Sequence, residues 1–183
     1  MVKEQDTDFV PAHPWVSLRE PSPLVLNLLS LPIAILMAFA MWYAWQDPAV
    51  LYGLTTYGFL LTIPFLIFAH ELVHAFACPH FGLTKQTTVG LWPSRLMFYA
   101  HHDGEIKRGR FLVFAFMPLI VLTLLPIAIA RVTGFTHWWL GSVSFMNGIF
   151  ACGDILVALI ILSQVPSNAV VRNKGYKTYW KSV

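Results

Sequence analysis

Charge is what this chain has least of. Asp, Glu, Lys and Arg together make up 11% of its 183 residues, where a soluble domain carries about 25%. Hydrophobic residues reach 57%, above the roughly 45–50% of an ordinary globule. That balance excludes a disordered chain, which needs polar residues to stay solvated, and argues against a globule suspended in water. Cysteine is also scarce: two residues cannot build a disulfide framework. Both, Cys78 and Cys152, stand in apolar runs and read as small buried residues. An excess of one sign is missing too. Twelve Lys and Arg against nine Asp and Glu leave +3, too little for a nucleic-acid-binding surface.

What the chain has instead is aromatic residues (14 Phe, 7 Trp and 6 Tyr) and long uncharged runs. No Asp, Glu, Lys or Arg occurs in 21–46, 48–70 or 111–130, and Asp154 is alone in 132–171. A bilayer span needs about 20 apolar residues, so transmembrane helices are expected at 24–45, 51–78, 111–130 and 137–163. Lipid offers the backbone no hydrogen-bond partner, which leaves the helix as the form such segments take. The expected fold class is an all-α membrane protein with four transmembrane helices, forming one domain over 1–183. The first span is expected to be retained. Glu4, Asp6, Asp8 and Glu20 precede it, and its run exceeds the 7–15 apolar residues of a cleaved signal.

Orientation is read from the cations. With the N-terminus inside, eleven of the twelve Lys and Arg fall on inner segments and Arg131 alone on an outer one. Cationic loops resist translocation, so both termini are expected in the cytoplasm: 1–23 as an N-terminal segment and 164–183 as a tail lying against lipid head groups. The long inner connection, 79–110, contains Thr87-Thr88-Val89 and Leu96-Met97-Phe98-Tyr99, with Gly90 and Pro93 between. This composition predicts a small β-hairpin or re-entrant segment between the second and third helices.

The second span contains His70-Glu71-Leu72-Val73-His74, an H-E-x-x-H pattern. Residues four apart share a helix face, so His70 and His74 can aim at one ion, and imidazole suits zinc. Glu71 is rotated about 100° from His70, close enough to reach metal-bound water without being a ligand. Three ionisable groups within five residues of a membrane span are costly unless they share a partner. A catalytic zinc usually takes a third protein ligand. His80, His101, His102, His137, Cys78, Cys152 and Asp154 are the candidates, and Asp154 is favoured because it is the lone charge of the fourth span. His70 lies about 28 Å along its helix from Leu51 and Asp154 about 25 Å from His137, at similar depths. Small residues around Asp154 (Gly148, Ala151, Cys152 and Gly153) permit a close helix approach. His80, His101 and His102 read as solvated loop residues. Thr62, Ser144 and Asn147 are expected to line a water path.

The His70–His74 motif, followed downstream by Asn147 and Gly153-Asp154 in a membrane helix, resembles the intramembrane zinc metalloproteases of the site-2 protease type. It looks most like a small bacterial family of zincin-like membrane peptidases. The resemblance covers residues 65–179 and includes Phe81-Gly82, Gly90, Pro93, Tyr99, Pro118, Asn147, Gly153-Asp154 and Lys174-Gly175-Tyr176. It departs from the larger site-2 proteases, which carry Leu-Asp-Gly where this chain has Gly153-Asp154-Ile155. It implies a location in the bacterial cytoplasmic membrane and, for Asn147, a catalytic role in holding the substrate carbonyl. Both readings lead to one mechanism: Zn2+ held by His70, His74 and Asp154, Glu71 activating water, and hydrolysis of peptide bonds in membrane-associated proteins. An exposed edge in 87–99 is expected to hold the substrate as an added strand. Two alternatives stand beside it, an inactive membrane zinc protein that binds clients or regulates, and a metal transporter.

Overall fold

A computed structural model describes residues 9–84, 86–92, 97–174 and 177–183. Glu4, Asp6, Asp8, Pro93, Leu96 and the Gly175-Tyr176 pair, all singled out above, lie outside the described residues.

The chain is mostly helical. A short strand β1 (Val16–Ser17) leads to α1 (Pro23–Ala44), then α2 (Pro48–Gly53) and α3 (Thr56–Ala77). Strands β2 (Thr87–Trp92), β3 (Met97–His102) and β4 (Ile106–Lys107) precede α4 (Arg108–Pro118). A π-helical segment, Leu119–Leu124, joins α4 to α5 (Leu125–Thr133). Helices α6 (Trp138–Phe150) and α7 (Cys152–Gln164) and strands β5 (Ala169–Lys174) and β6 (Lys177–Ser182) complete the chain. Three helical stretches have the length and apolarity to cross a bilayer: Pro23–Ala44, Gly58–Ala77 and Arg108–Thr133, with mean hydropathies of 2.3, 1.7 and 2.7. The pair α6 and α7 makes a fourth if counted as one bent element.

Two expected helices are interrupted. The run 51–78 is divided between α2 and α3 at residues 54–55, and 137–163 between α6 and α7 at Ala151, where the axes bend by 41°. Small residues permit the second break, since Gly148, Ala151 and Gly153 leave little side chain to hold the helix straight. Gly148 also lets α6 approach α1, because a Cβ there would come within 2.6 Å of the Met41 sulfur.

The hairpin expected in 79–110 is present, β2 and β3 pairing antiparallel from Thr87 opposite His102 to Trp92 opposite Met97. The tail differs from expectation. Instead of an extension, β5 and β6 form a hairpin at the middle of a four-stranded antiparallel sheet in the order β1-β6-β5-β4. Its inner face packs on the start of α4 and the end of α7 through Leu18, Ile106, Phe111, Ile161, Val165, Ala169 and Val171. The alternation that announces a strand is blurred here by basic residues, which form ion pairs: Arg172 with Asp103 at 2.8 Å and Lys181 with Glu105 at 2.6 Å. A second apolar cluster, Leu66, Val143 and Met146, joins α3 to α6.

The end of α3 is closed in two ways. Arg110, in the first turn of α4, donates from Nε to the Ala77 carbonyl at 2.9 Å and from Nη2 to that of Cys78 at 3.1 Å, serving acceptors the helix end cannot satisfy itself. The chain then doubles back through Gly82 at φ +72°, where a Cβ would lie 2.4 Å from the Ala75 carbonyl oxygen. Only glycine tolerates both the backbone and the space.

Candidate metal centre

The site is assembled from four helical segments. α3 supplies His70, Glu71 and His74; α7 supplies Asp154 from its first turn; α4 and α6 supply groups that hold the rings. The break at Ala151 places Asp154 near the start of α7, where unpaired N–H groups and the helix dipole favour a carboxylate.

The Asp154 carboxylate spans the two imidazoles. Its Oδ2 lies 3.1 Å from His70 Nε2 and its Oδ1 3.4 Å from His74 Nε2. The far side of each ring is also fixed. His74 Nδ1–H donates to the Phe114 carbonyl at 2.9 Å, and the Phe114 ring stacks on the imidazole at 4.5 Å between centroids. His70 Nδ1–H donates to Asn147 Oδ1 at 2.9 Å. The direction of that bond follows from the Asn147 amide nitrogen, which donates to the Pro118 carbonyl and to Thr123 Oγ1, both at 2.9 Å. A carbonyl can only accept, so the amide oxygen must face His70.

These bonds leave the neutral rings one arrangement. A neutral imidazole has one N–H, and in both rings Nδ1 carries it, so each Nε2 presents a lone pair. With both rings neutral, two lone pairs meet the oxygens of one carboxylate. Asp154 Oδ2 is buried and has no hydrogen-bond partner among the described residues, despite its nearness to His70. Acceptors facing acceptors repel, and a cation among them turns that repulsion into attraction. His70, His74 and Asp154 offer ligand atoms within 4.8 Å of one another. Two imidazole nitrogens and one carboxylate oxygen are a donor set that catalytic zinc accepts, with a fourth position to spare. The carbonyl of Phe114 and the amide of Asn147 supply the outer hydrogen bonds that a metal-bound histidine usually has.

Glu71 stands beside this centre. With His70, Leu66, Ile67 and Phe150 it lines an open cleft of about 190 Å³ between α3 and the α6–α7 junction. The cleft is apolar apart from His70 and Glu71.

The remaining candidates whose side chains are described are placed elsewhere, and the side chain of His101 lies outside that description. His80 is exposed, and His137 accepts from the Trp139 N–H at 3.3 Å at the start of α6. Cys78 is buried at the end of α3 and Cys152 half-buried; neither belongs to the cluster. His102, expected to be solvated, is buried, with Nδ1 3.0 Å from Thr87 Oγ1. Thr62, Ser144 and Asn147 line no open path: all three are at 0% exposure, and the last two are spent on internal hydrogen bonds. Sequence reasoning passed over Phe114, Arg110 and Thr123. A backbone carbonyl leaves no trace in a sequence. Thr123 did leave one, as the lone hydroxyl in residues 111–130.

A family model described as "Putative zincin peptidase" matches residues 63–170, more than half of the chain, including every residue of the centre. No curated protein matches the chain. No solved structure matches it.

Proposed function

The chain belongs to the zincin peptidase family matched above, and on that premise we propose that it is a zinc-dependent endopeptidase embedded in a membrane, of the site-2 protease type. The observation that carries this reading is the carboxylate of Asp154 set against two imidazoles whose Nδ1 atoms already hold the hydrogens. His70, His74 and Asp154 would hold the ion. When bound, zinc lowers the pKa of a coordinated water to about 7 and polarises a carbonyl oxygen. Glu71, one residue on from a ligand and facing the cleft, takes a proton from the attacking water at a carboxylate oxygen. It then gives that proton to the leaving amine. Leu66, Ile67 and Phe150 keep bulk water off the reacting bond and favour an apolar stretch of substrate.

The distribution of polarity supports the membrane part of the reading. Thr62, Thr123, Ser142, Ser144 and Asn147 are wholly enclosed, while Leu24, Leu36, Phe39, Leu60 and Leu61 project outward at 63–71% exposure. A molecule that is polar within and apolar without suits lipid as its surroundings. The cation bias supports a cytoplasmic position for both termini, and the apolar exterior supports membrane proteins or peptides as substrates. The β2–β3 hairpin begins ten residues after the end of the helix that carries Glu71, and supports substrate capture as an added strand. Val89→Pro or Met97→Pro removes backbone donors from it and is expected to slow cleavage of a membrane substrate while sparing zinc.

The deciding experiment pairs metal content with cleavage. Purified wild-type chain is expected to hold one equivalent of zinc, His70→Ala and Asp154→Ala to lose it, and Glu71→Gln to keep it while cleaving at least about 100-fold more slowly. Unchanged cleavage by Glu71→Gln rules out the hydrolytic reading.

A further inference from the structure

Asn147 is completely enclosed, and each polar atom of its side chain is committed. Oδ1 accepts from His70, and the two amide hydrogens go to the Pro118 carbonyl and Thr123 Oγ1. To hold a substrate carbonyl it would have to abandon one of those partners. Its surroundings fit a different role, which is to fix one orientation of the amide.

The hydrogen bonds beyond it admit a single pattern. Thr123 Oγ1 accepts from Asn147 and so donates its own hydrogen to the Ser144 carbonyl, at 3.3 Å. Ser144 Oγ accepts from Trp45 Nε1 at 3.0 Å, an N–H that can only donate, and turns its hydrogen to the Thr123 carbonyl at 2.9 Å. Trp45 is at 4% exposure and the other three side chains at 0%, so water cannot substitute for a lost partner.

The π-helical turn explains how Pro118 and Thr123 reach one amide. Residues five apart on an α-helix stand about 140° apart around the axis. In a π-helix, whose bonds run from i to i+5, they come into line. Leu119–Leu124 is such a turn, and its last bond runs from Leu125 N–H to the Ile120 carbonyl. Pro126 favours the departure from α geometry, because it has no N–H for the carbonyl of Leu122.

We propose that Thr123, carried on this π-helical turn, is a positioning residue for the metal centre: it locks the Asn147 amide, which holds His70 in the tautomer whose Nε2 is free to bind zinc. The proposal rests on the metal reading of His70, His74 and Asp154, and extends it to a residue 24 positions from Asn147 in the chain that touches no ligand.

The test uses the full chain in detergent micelles. Zinc affinity is measured by competition with a chromophoric chelator, and ligand geometry by the visible absorption of the Co2+-loaded protein. Thr123→Val removes the hydroxyl with little change of shape. It is expected to weaken zinc about 10- to 100-fold, the usual effect of losing an outer hydrogen bond, and to shift the cobalt bands; Thr123→Ser restores both. A purely structural role would lower thermal stability and leave affinity and spectrum alone. Wild-type affinity with an unshifted spectrum in Thr123→Val overturns the proposal. Should that variant fail to fold, Thr123→Cys, a weaker acceptor of similar size, decides in its place: a several-fold loss supports the proposal and wild-type affinity overturns it. A wild-type chain that takes up neither zinc nor cobalt overturns the metal reading itself, a result distinct from either.

Discussion

At the scale of single residues, two kinds of signal were legible in the sequence. His70, Glu71 and His74 stood out because two imidazoles four apart on a helix share a face, and Asp154 because a lone carboxylate in an apolar run demands a partner. The structure brings the two imidazoles and the Asp154 carboxylate within contact distance. What holds them was harder to read. The partner of His74 is a backbone carbonyl, at Phe114, and that of His70 depends on a π turn that no hydrophobic period announces. Conservative exchange separates ligand from support. Asp154→Asn keeps the size and removes the charge, and is expected to lower zinc affinity by more than the roughly 10- to 100-fold of an outer-bond variant, as read by metal analysis after dialysis.

At the scale of elements, the junctions decide where the site falls. α3 must stop within one turn of His74, and it does so because Arg110 takes its last carbonyls and Gly82 turns the chain back. Arg110→Ala leaves two buried-end carbonyls without a charged donor, and is expected to cost about 1–3 kcal/mol, seen as a lower unfolding midpoint in detergent. Gly82→Ala meets both a positive φ and the Ala75 carbonyl. A loss of about 1–3 kcal/mol is expected there as well. The four apolar runs were legible from charge spacing, but their interruptions at residues 54–55 and at Ala151 were not, because breaks come from packing against neighbours. The β5–β6 hairpin escaped notice for a related reason. Its lysines and Arg172 look like a solvated tail until Asp103 and Glu105 stand opposite them.

At the scale of the whole molecule, the centre ties α3 and α7 directly and α4 and α6 through Phe114 and Asn147. An ion bound there adds a cross-link to four helices that otherwise meet through two apolar clusters and a few hydrogen bonds. Ligands that bind only the folded state stabilise it by mass action, about 2.7 kcal/mol at a hundredfold excess over Kd. Chelation is therefore expected to lower the unfolding midpoint of the wild-type chain, with recovery on adding zinc back, and to leave the midpoint of Asp154→Ala unmoved.

The four-stranded sheet carries a further consequence, one of parity. β1 lies just before the first helix and β6 just after the last, and Val16 pairs with Trp180 in the same sheet. A chain whose two ends are hydrogen-bonded to each other has traversed any barrier between them an even number of times. On the membrane reading proposed above, three traverses would leave β1 and β6 on opposite faces, so that reading requires α6 with α7, bent by 41°, to count as a fourth span. Single cysteines at Gln46 and Thr136 should then be labelled from the face opposite to one at Val183.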